Sequence, residues 1–386
     1  MRGRAAIPSA SAMRELAERI GDSRVARVTG LERGGVEVAC AVRPGGHVLQ
    51  VSNGKGLSFA QARAGAILEA AELWAAEHPS PSQLVLATLD ELRSRGLDAW
   101  PLEGELLEPA LFSPRVRLAW LPAQLLESHR FVFVPAAAVH CVPSSGPWLG
   151  PALHRWTSNG MGAHPDGERA LRHALLEAAE RDGLARALPD GWTEREIRRR
   201  KIEPGSLAQA APQTARLVEQ LAKSGLVAQL FDLRPRPDRR PHGARRSRGE
   251  RWMGLALAGA LLLDRDGPIP LAAGYACAPG ADAALLSALL EAAQSRLTEV
   301  HGARDDIAPP ELDAMRALAQ AATRARPAID ARALPAGEEL PSAALVARFA
   351  AAGLGEVAAL DLSPAGGPAR NVKEIAERLL LSELLQ

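Results

Sequence analysis

The chain has 386 residues, of which 47% are hydrophobic and 24% charged, and a formal net charge of +1. That length suits one large domain or two ordinary ones. A near-neutral chain has no whole-molecule field to draw in nucleic acid or an anionic membrane, and its apolar run Trp252 to Leu263 is too short to span a bilayer.

From the N-terminus, residues 1–24 read as an extension. They hold Arg2, Arg4, Arg14, Glu15, Glu18 and Arg19 with no apolar core, so no secretory signal is expected. Cys40, Cys141 and Cys277 show no ligand spacing, which points to a reducing, cytoplasmic location. Residues 23–53 read as strands and turns, with Val25, Val28, Val36, Val38 and Val42 set among glycines. Gly54-Lys55-Gly56 leads into a helix with Ser58 and Gln61 as its capping box, stopping before Pro79. Residues 82–150 alternate short apolar runs with prolines and read as β segments. Asn159-Gly160 and Gly162 precede a second helix near 167–187, and 191–226 reads as further helix.

Arg234 to Arg251 is an arginine- and proline-rich stretch, expected as a solvated loop. Strands follow at Trp252 to Leu263 and Pro268 to Ala276, then a third helix from Asp282. The tail reads as helix over Ala343 to Ala352, strand over Val357 to Leu362, and a final amphipathic helix near Val372 to Leu385. Strands and helices alternate, so the expected class is α/β or mixed α+β.

One short helical phrase recurs three times, about a hundred residues apart. It reads Ile67-Leu68-Glu69-Ala70-Ala71-Glu72, Leu175-Leu176-Glu177-Ala178-Ala179-Glu180 and Leu289-Leu290-Glu291-Ala292-Ala293-Gln294. In each copy the two polar residues stand i, i+3 on one helix face. Their Ala and Leu flanks imply burial, and a buried carboxylate needs a cationic partner. Five carboxylates and one amide converging would suit hard divalent cations, and Mg²⁺ usually brings nucleotide phosphates with it. Gly54-Lys55-Gly56 could hold an anion with its backbone and a lysine charge, although it lacks Walker A spacing.

Taken together, these residues resemble the YcaO family. Thr29-Gly30-Leu31, Arg43-Pro44 and Ser52-Asn53-Gly54-Lys55-Gly56-Leu57 look like its N-terminal block. Thr157-Ser158-Asn159-Gly160 and Glu177-Ala178-Ala179-Glu180-Arg181-Asp182 look like its second helix region. Glu291-Ala292-Ala293-Gln294-Ser295-Arg296 and Gly302-Ala303-Arg304-Asp305-Asp306 look like its third.

The resemblance implies a YcaO domain over 25–362, with the basic loop at 234–251 inside it and a C-terminal helical tail at 363–386. It also implies an ATP-binding fold without a Rossmann or P-loop element. ATP and Mg²⁺ would serve to O-phosphorylate a peptide backbone amide. By the same analogy Glu69, Glu72, Glu177, Glu180 and Glu291 are expected as metal ligands or orienters of metal-bound water. Lys55, Asn159, Arg181, Gln294 and Arg296 are expected around the nucleotide. The catalytic residue is not named by the likeness. Partners implied are a precursor peptide, a TfuA-like protein and a second copy of the chain, without nucleic acid or membrane.

The branch that Glu72-Leu73-Trp74-Ala75-Ala76-Glu77 looks like is the TfuA-associated, thioamide-forming one. An azoline-forming cyclodehydratase and a non-catalytic peptide-binding scaffold stay open. Gly65, Leu73, Ala163, Arg169 and Ala278 depart from the family's pattern, and Arg169 inverts an expected acidic charge.

Overall fold

The computed structural model describes residues 7–236, 252–304, 311–376 and 378–380. Most of the expected basic loop, Asp305, Asp306 and the end of the tail lie outside the described residues.

Among the described residues, twelve strands form three antiparallel sheets. The first holds β1 (Arg24–Arg27), β2 (Glu37–Val42) and β3 (Val51–Gly56) in that order. The largest contains β4 (Val85–Ala87), β5 (Leu118–Leu125), β6 (Phe131–Pro135) and β7 (Met161–His164), together with two late strands described below. The remaining sheet has β8 (Val227–Asp232), β9 (Ala256–Leu263) and β10 (Leu271–Ala278), with β9 in the middle. β9 is buried along its whole length and reads Ala-Leu-Ala-Gly-Ala-Leu-Leu-Leu, as a strand covered on both faces must. The late strands are β11 (Val357–Asp361) and β12 (Arg370–Ala376), and the large sheet runs β4-β5-β11-β12-β7 with β6 paired to β5. The mixed α/β class expected from the sequence is the class observed.

β3, β7 and β10 each stand at an end of their sheet's strand order, and each leads into one acidic helix. These helices are Phe59–Glu77, Gly167–Ala187 and Ala281–His301. Ser58 caps the first by accepting from the Gln61 backbone N–H, and Pro79 follows its end. Asp166 caps the second by accepting from the N–H groups of Glu168 and Arg169.

Strand and helix approach closely because both lines of contact are small. A Cβ on Gly54 would lie 2.0 Å from the Ala62 carbonyl oxygen and 2.2 Å from the Ala66 nitrogen. One on Gly162 would lie 2.2 Å from the Ala170 carbonyl oxygen and 3.1 Å from the Ala174 nitrogen. Ala62 precedes Glu69, and Ala170 precedes Glu177, by the same offset, so the two strand–helix units share one register. Gly54→Ala is therefore expected to force β3 off its helix at a cost of about 1–3 kcal/mol. Urea titration checks this, and an unchanged midpoint would show that the strand yields freely.

Two helical expectations fail. Residues 191–226 form Glu194–Arg200, the single turn Leu207–Ala210 and Pro212–Lys223, because Pro204 and Pro212 interrupt the run. The final amphipathic helix over Val372 to Leu385 is absent among the described residues; Arg370–Ala376 is a strand instead. Paired on one side with β11 (Val357 to Ala376 through Asp361 to Val372) and on the other with β7, it gains ladder bonds that outweigh local helix preference. At the other end, Ala10–Ile20 is a helix capped by Ser9, and it buries Met13, Leu16 and Ile20 against Ala62, Ala66 and Ile67 of the first acidic helix.

Candidate active site

The three acidic helices turn their carboxylates toward one another alongside β3, β7 and β10. The backbone holds several of them directly. Glu69 Oε2 accepts from the Asn53 N–H at 3.1 Å, and Glu291 Oε1 accepts from the Tyr275 N–H at 3.4 Å. Glu72 crosses to the neighbouring unit, where its Oε1 accepts from the Ala163 N–H at 2.7 Å. Lys55 on β3 reaches the third helix and donates to Glu291 Oε2 at 2.7 Å. Arg181 lies between the two glutamates of its own helix, 3.3 Å from Glu177 and 3.2 Å from Glu180. Gln294 Nε2 donates to the Asn53 carbonyl at 3.5 Å, and Asn53 Nδ2 to Thr298 Oγ1 at 2.9 Å, which ties the third helix to β3.

The electrostatics show one coupled cluster. Burial raises Glu69 to about 7, against the opposing charges of Arg304 and Lys55. Burial raises Glu180 to about 7, opposed by Arg181 and reinforced by Glu291 and Glu177. Glu72 is held well above the usual carboxylate range by burial, then by Glu177 and Glu69. For Lys55, burial works against the charge, but Glu291 overcomes it and raises the ammonium. Residues from four separate stretches of chain therefore feel one another's charge, and the carboxylates outnumber the cations that balance them.

Two of the charged groups were missed in the sequence. Lys373 and Glu374 on β12 are both buried, and each is coupled to Glu177. Burial lowers Lys373 to about 8 and raises Glu374 to about 8. Lys373 Nζ donates to the carbonyls of Thr157, at 2.7 Å, and Asn159, at 2.5 Å, fixing the turn that carries Asn159. Their neighbours Val372 and Ile375 give no clean period-two pattern, and the pair falls within the stretch read as a final amphipathic helix.

Arg296 is placed differently from the other expected nucleotide residues. It is 4% exposed, and its two Nη groups donate to Glu32 Oε2 and Asp264 Oδ2, each at 2.6 Å. Arg33 also reaches Asp264, at 2.6 Å, so these side chains close a buried ion network. Removing Arg296 leaves two buried carboxylates under-neutralised. Arg296→Met is expected to cost about 3 kcal/mol in a denaturant midpoint. ATP affinity should stay within about twofold, since both Nη groups are engaged by acids. A large loss of affinity without loss of stability would instead place Arg296 on the nucleotide.

The departures from the family pattern have local reasons. Gly65 faces the close approach of Gly54, Leu73 and Ala278 are buried in the core, and Ala163 serves through its backbone N–H. Arg169 sits in the first turn of its helix, about 12 Å along the axis from Glu177, and within 4.0 Å of Asp166.

A family model described as YcaO cyclodehydratase, ATP- and Mg²⁺-binding, matches residues 53–376. The chain belongs to the YcaO family. A protein of Methanothermobacter thermautotrophicus is 30% identical over 74% of this chain and 68% of its own length. Rv1375 of Mycobacterium tuberculosis is 29% identical over 74% and 59%. A protein in the tfuA 3′ region of Rhizobium leguminosarum bv. trifolii is 28% identical over 75% and 65%. The chain thus spans about three-fifths to two-thirds of these relatives. Among solved structures, YcaO from Methanopyrus kandleri, bound with AMPPCP and Mg²⁺, superposes with TM-score 0.69 at 24% identity, covering 94% of this chain and 87% of that one. A heterocyclase in complex with substrate and cofactor gives TM-score 0.71 at 18% identity, over 98% of this chain and 54% of that one. At these identities the likeness is one of fold.

ATP and Mg²⁺ are the cofactors of the YcaO domain. The donor set here fits them. Among the described residues no group of three or more His, Cys, Asp or Glu is arranged to hold a metal ion, and Lys55 and Arg181 stand among the carboxylates. Mg²⁺ does not require such a group: it takes one or two carboxylates, water and substrate phosphates. Carboxylates raised by burial and short of counter-charge supply that kind of donor. No helix among the described residues is long and apolar enough to cross a membrane.

Proposed function

We propose that this YcaO protein uses ATP and Mg²⁺ to activate a backbone amide of a ribosomally made peptide, and that the product is a thioamide formed with a TfuA-like partner. The observation that supports it best is the meeting of Glu69, Glu72, Glu177, Glu180 and Glu291 from three distant helices around Lys55 and Arg181. The relative encoded in a tfuA 3′ region supports the choice of partner. A second copy of the chain as partner remains part of the reading.

Bound Mg²⁺ would neutralise the triphosphate and orient its γ-phosphoryl group. The glutamates would hold the ion directly or through water, and Lys55 and Arg181 would exchange their carboxylate partners for phosphate oxygens. Asn159, fixed by Lys373, and Gln294 would line the nucleotide. In the reaction an external sulfide adds to the amide carbonyl carbon and the carbonyl oxygen accepts the γ-phosphoryl group, releasing ADP. Phosphate then leaves with that oxygen as the C=S bond forms, and the sulfur's proton passes to solvent.

The test incubates protein, TfuA-like partner, precursor peptide, ATP and sulfide, and reads the peptide by mass spectrometry. Oxygen-to-sulfur exchange is expected. Loss of water instead would assign the azoline-forming reaction, which the cyclodehydratase family description favours. No ATP consumption and no mass change would leave a peptide-binding scaffold.

A further inference from the structure

A cavity of about 930 Å³ runs from Arg181 and Asn159 along β12, with the Trp100–Leu106 segment as its opposite wall. Its size falls within the range of about 300–1,000 Å³ typical of ligand sites. β7 pairs with β12 only as far as Lys373, and the Glu374 N–H then donates to the Gly160 carbonyl at 2.7 Å. Beyond that point Ile375 and Ala376 line the cavity, with β11 as their one paired neighbour among the described strands. A strand edge that opens into a cavity is a template for an extended chain.

Two side chains in the wall are incompletely satisfied. Glu374 is 3% exposed, and its Oε1 has no hydrogen-bond partner. Lys373 gives two of its three ammonium protons to carbonyls and has no described partner for the third. Leaving such groups unpaired in a folded protein is costly, and the need for a partner is specific: one acceptor and one donor, from adjacent residues. A peptide bond supplies the complement, an N–H and a C=O.

We propose that this cavity binds an extended peptide segment, with Glu374 accepting a backbone N–H and Lys373 donating to a backbone carbonyl. The inference rests on the reading that a peptide amide is the substrate, and it names the residues that hold it. Neither residue is among those assigned to metal or nucleotide.

The probe is terminally capped hexaglycine, which offers backbone groups alone. Saturation-transfer NMR on the full chain with ATP and Mg²⁺ present should show binding, weakened at least tenfold by Glu374→Ala. Glu374→Gln, which keeps an acceptor oxygen, should retain most of the signal. Gly104 lines the same cavity, and a side chain built there meets nothing within 4 Å, so Gly104→Trp should block binding without unfolding the chain. Calorimetry of ATP with Mg²⁺ should be unchanged within about twofold in each variant. No signal from the unaltered protein, or one that neither Glu374→Ala nor Gly104→Trp diminishes, overturns the proposal. Hexaglycine binding without ATP binding would instead defeat the functional reading and leave the peptide site standing.

Discussion

Glu177→Gln is expected to raise the melting temperature of the ligand-free protein while removing its Mg²⁺-dependent ATP binding. Glu177 raises four other carboxylates, Glu69, Glu72, Glu180 and Glu374. Its nearest cation, Arg181, also pairs with Glu180 and so keeps a partner when Glu177 is neutral. Removing one like charge from such a cluster relieves about 1–2 kcal/mol at the effective dielectric of a protein cleft. That corresponds to a rise of about 1–2.5 °C for a chain of this size. The same change takes away a hard oxygen donor, so ATP affinity in Mg²⁺ should fall by about 100-fold or more. Differential scanning fluorimetry and calorimetry read the two effects separately. A variant that melts lower, or that binds ATP as before, would show that Glu177 is an ordinary ion-pair residue and not a strained site ligand.

The second large effect is on pH. Glu69 and Glu180 are raised to about 7, in each case first by burial. A carboxyl raised in the fold binds its proton more tightly there than in the unfolded chain. Its contribution is therefore favourable at low pH, and it is lost as pH climbs from the unfolded value near 4.5 through the folded value near 7. Glu180 alone accounts for a change on the order of 3 kcal/mol over that window. Ligand-free protein should accordingly lose stability between about pH 4.5 and about 7, a window that overlaps the range where most proteins are near their best (about pH 5–8). Adding ATP and Mg²⁺ should flatten the slope, because metal ligands must be ionised, and should release about one or two protons per complex near pH 7. Calorimetry in buffers of different ionisation enthalpy counts them. A flat stability profile without ligand, or binding without proton release, would contradict the cluster as described.

How far the sequence could be read depended on what each residue needed. Ser58 and Pro79 sit beside the helix they delimit, so the ends of the first acidic helix were legible within a residue or two. The i, i+3 glutamates were legible too, since one helix turn puts them on one face whatever surrounds it. Lys373 and Glu374 were not. Their strand exists because β11 and β7 flank it, and those partners come from residues 357–361 and 161–164. Arg296 was legible as a cation and illegible as a structural one, because Glu32 and Asp264 are distant in the chain.

The sequence by itself determined the three acidic helices, the lysine between two glycines and the family they resemble, because these are local patterns or ordered motifs. Only the tertiary structure decided which charges meet, which arginine is spent on a buried network, and that β12 brings a lysine and a glutamate to the cleft wall. The reason is physical: helix periodicity and capping act over a few residues, whereas desolvation and strand pairing depend on neighbours that only the folded chain supplies.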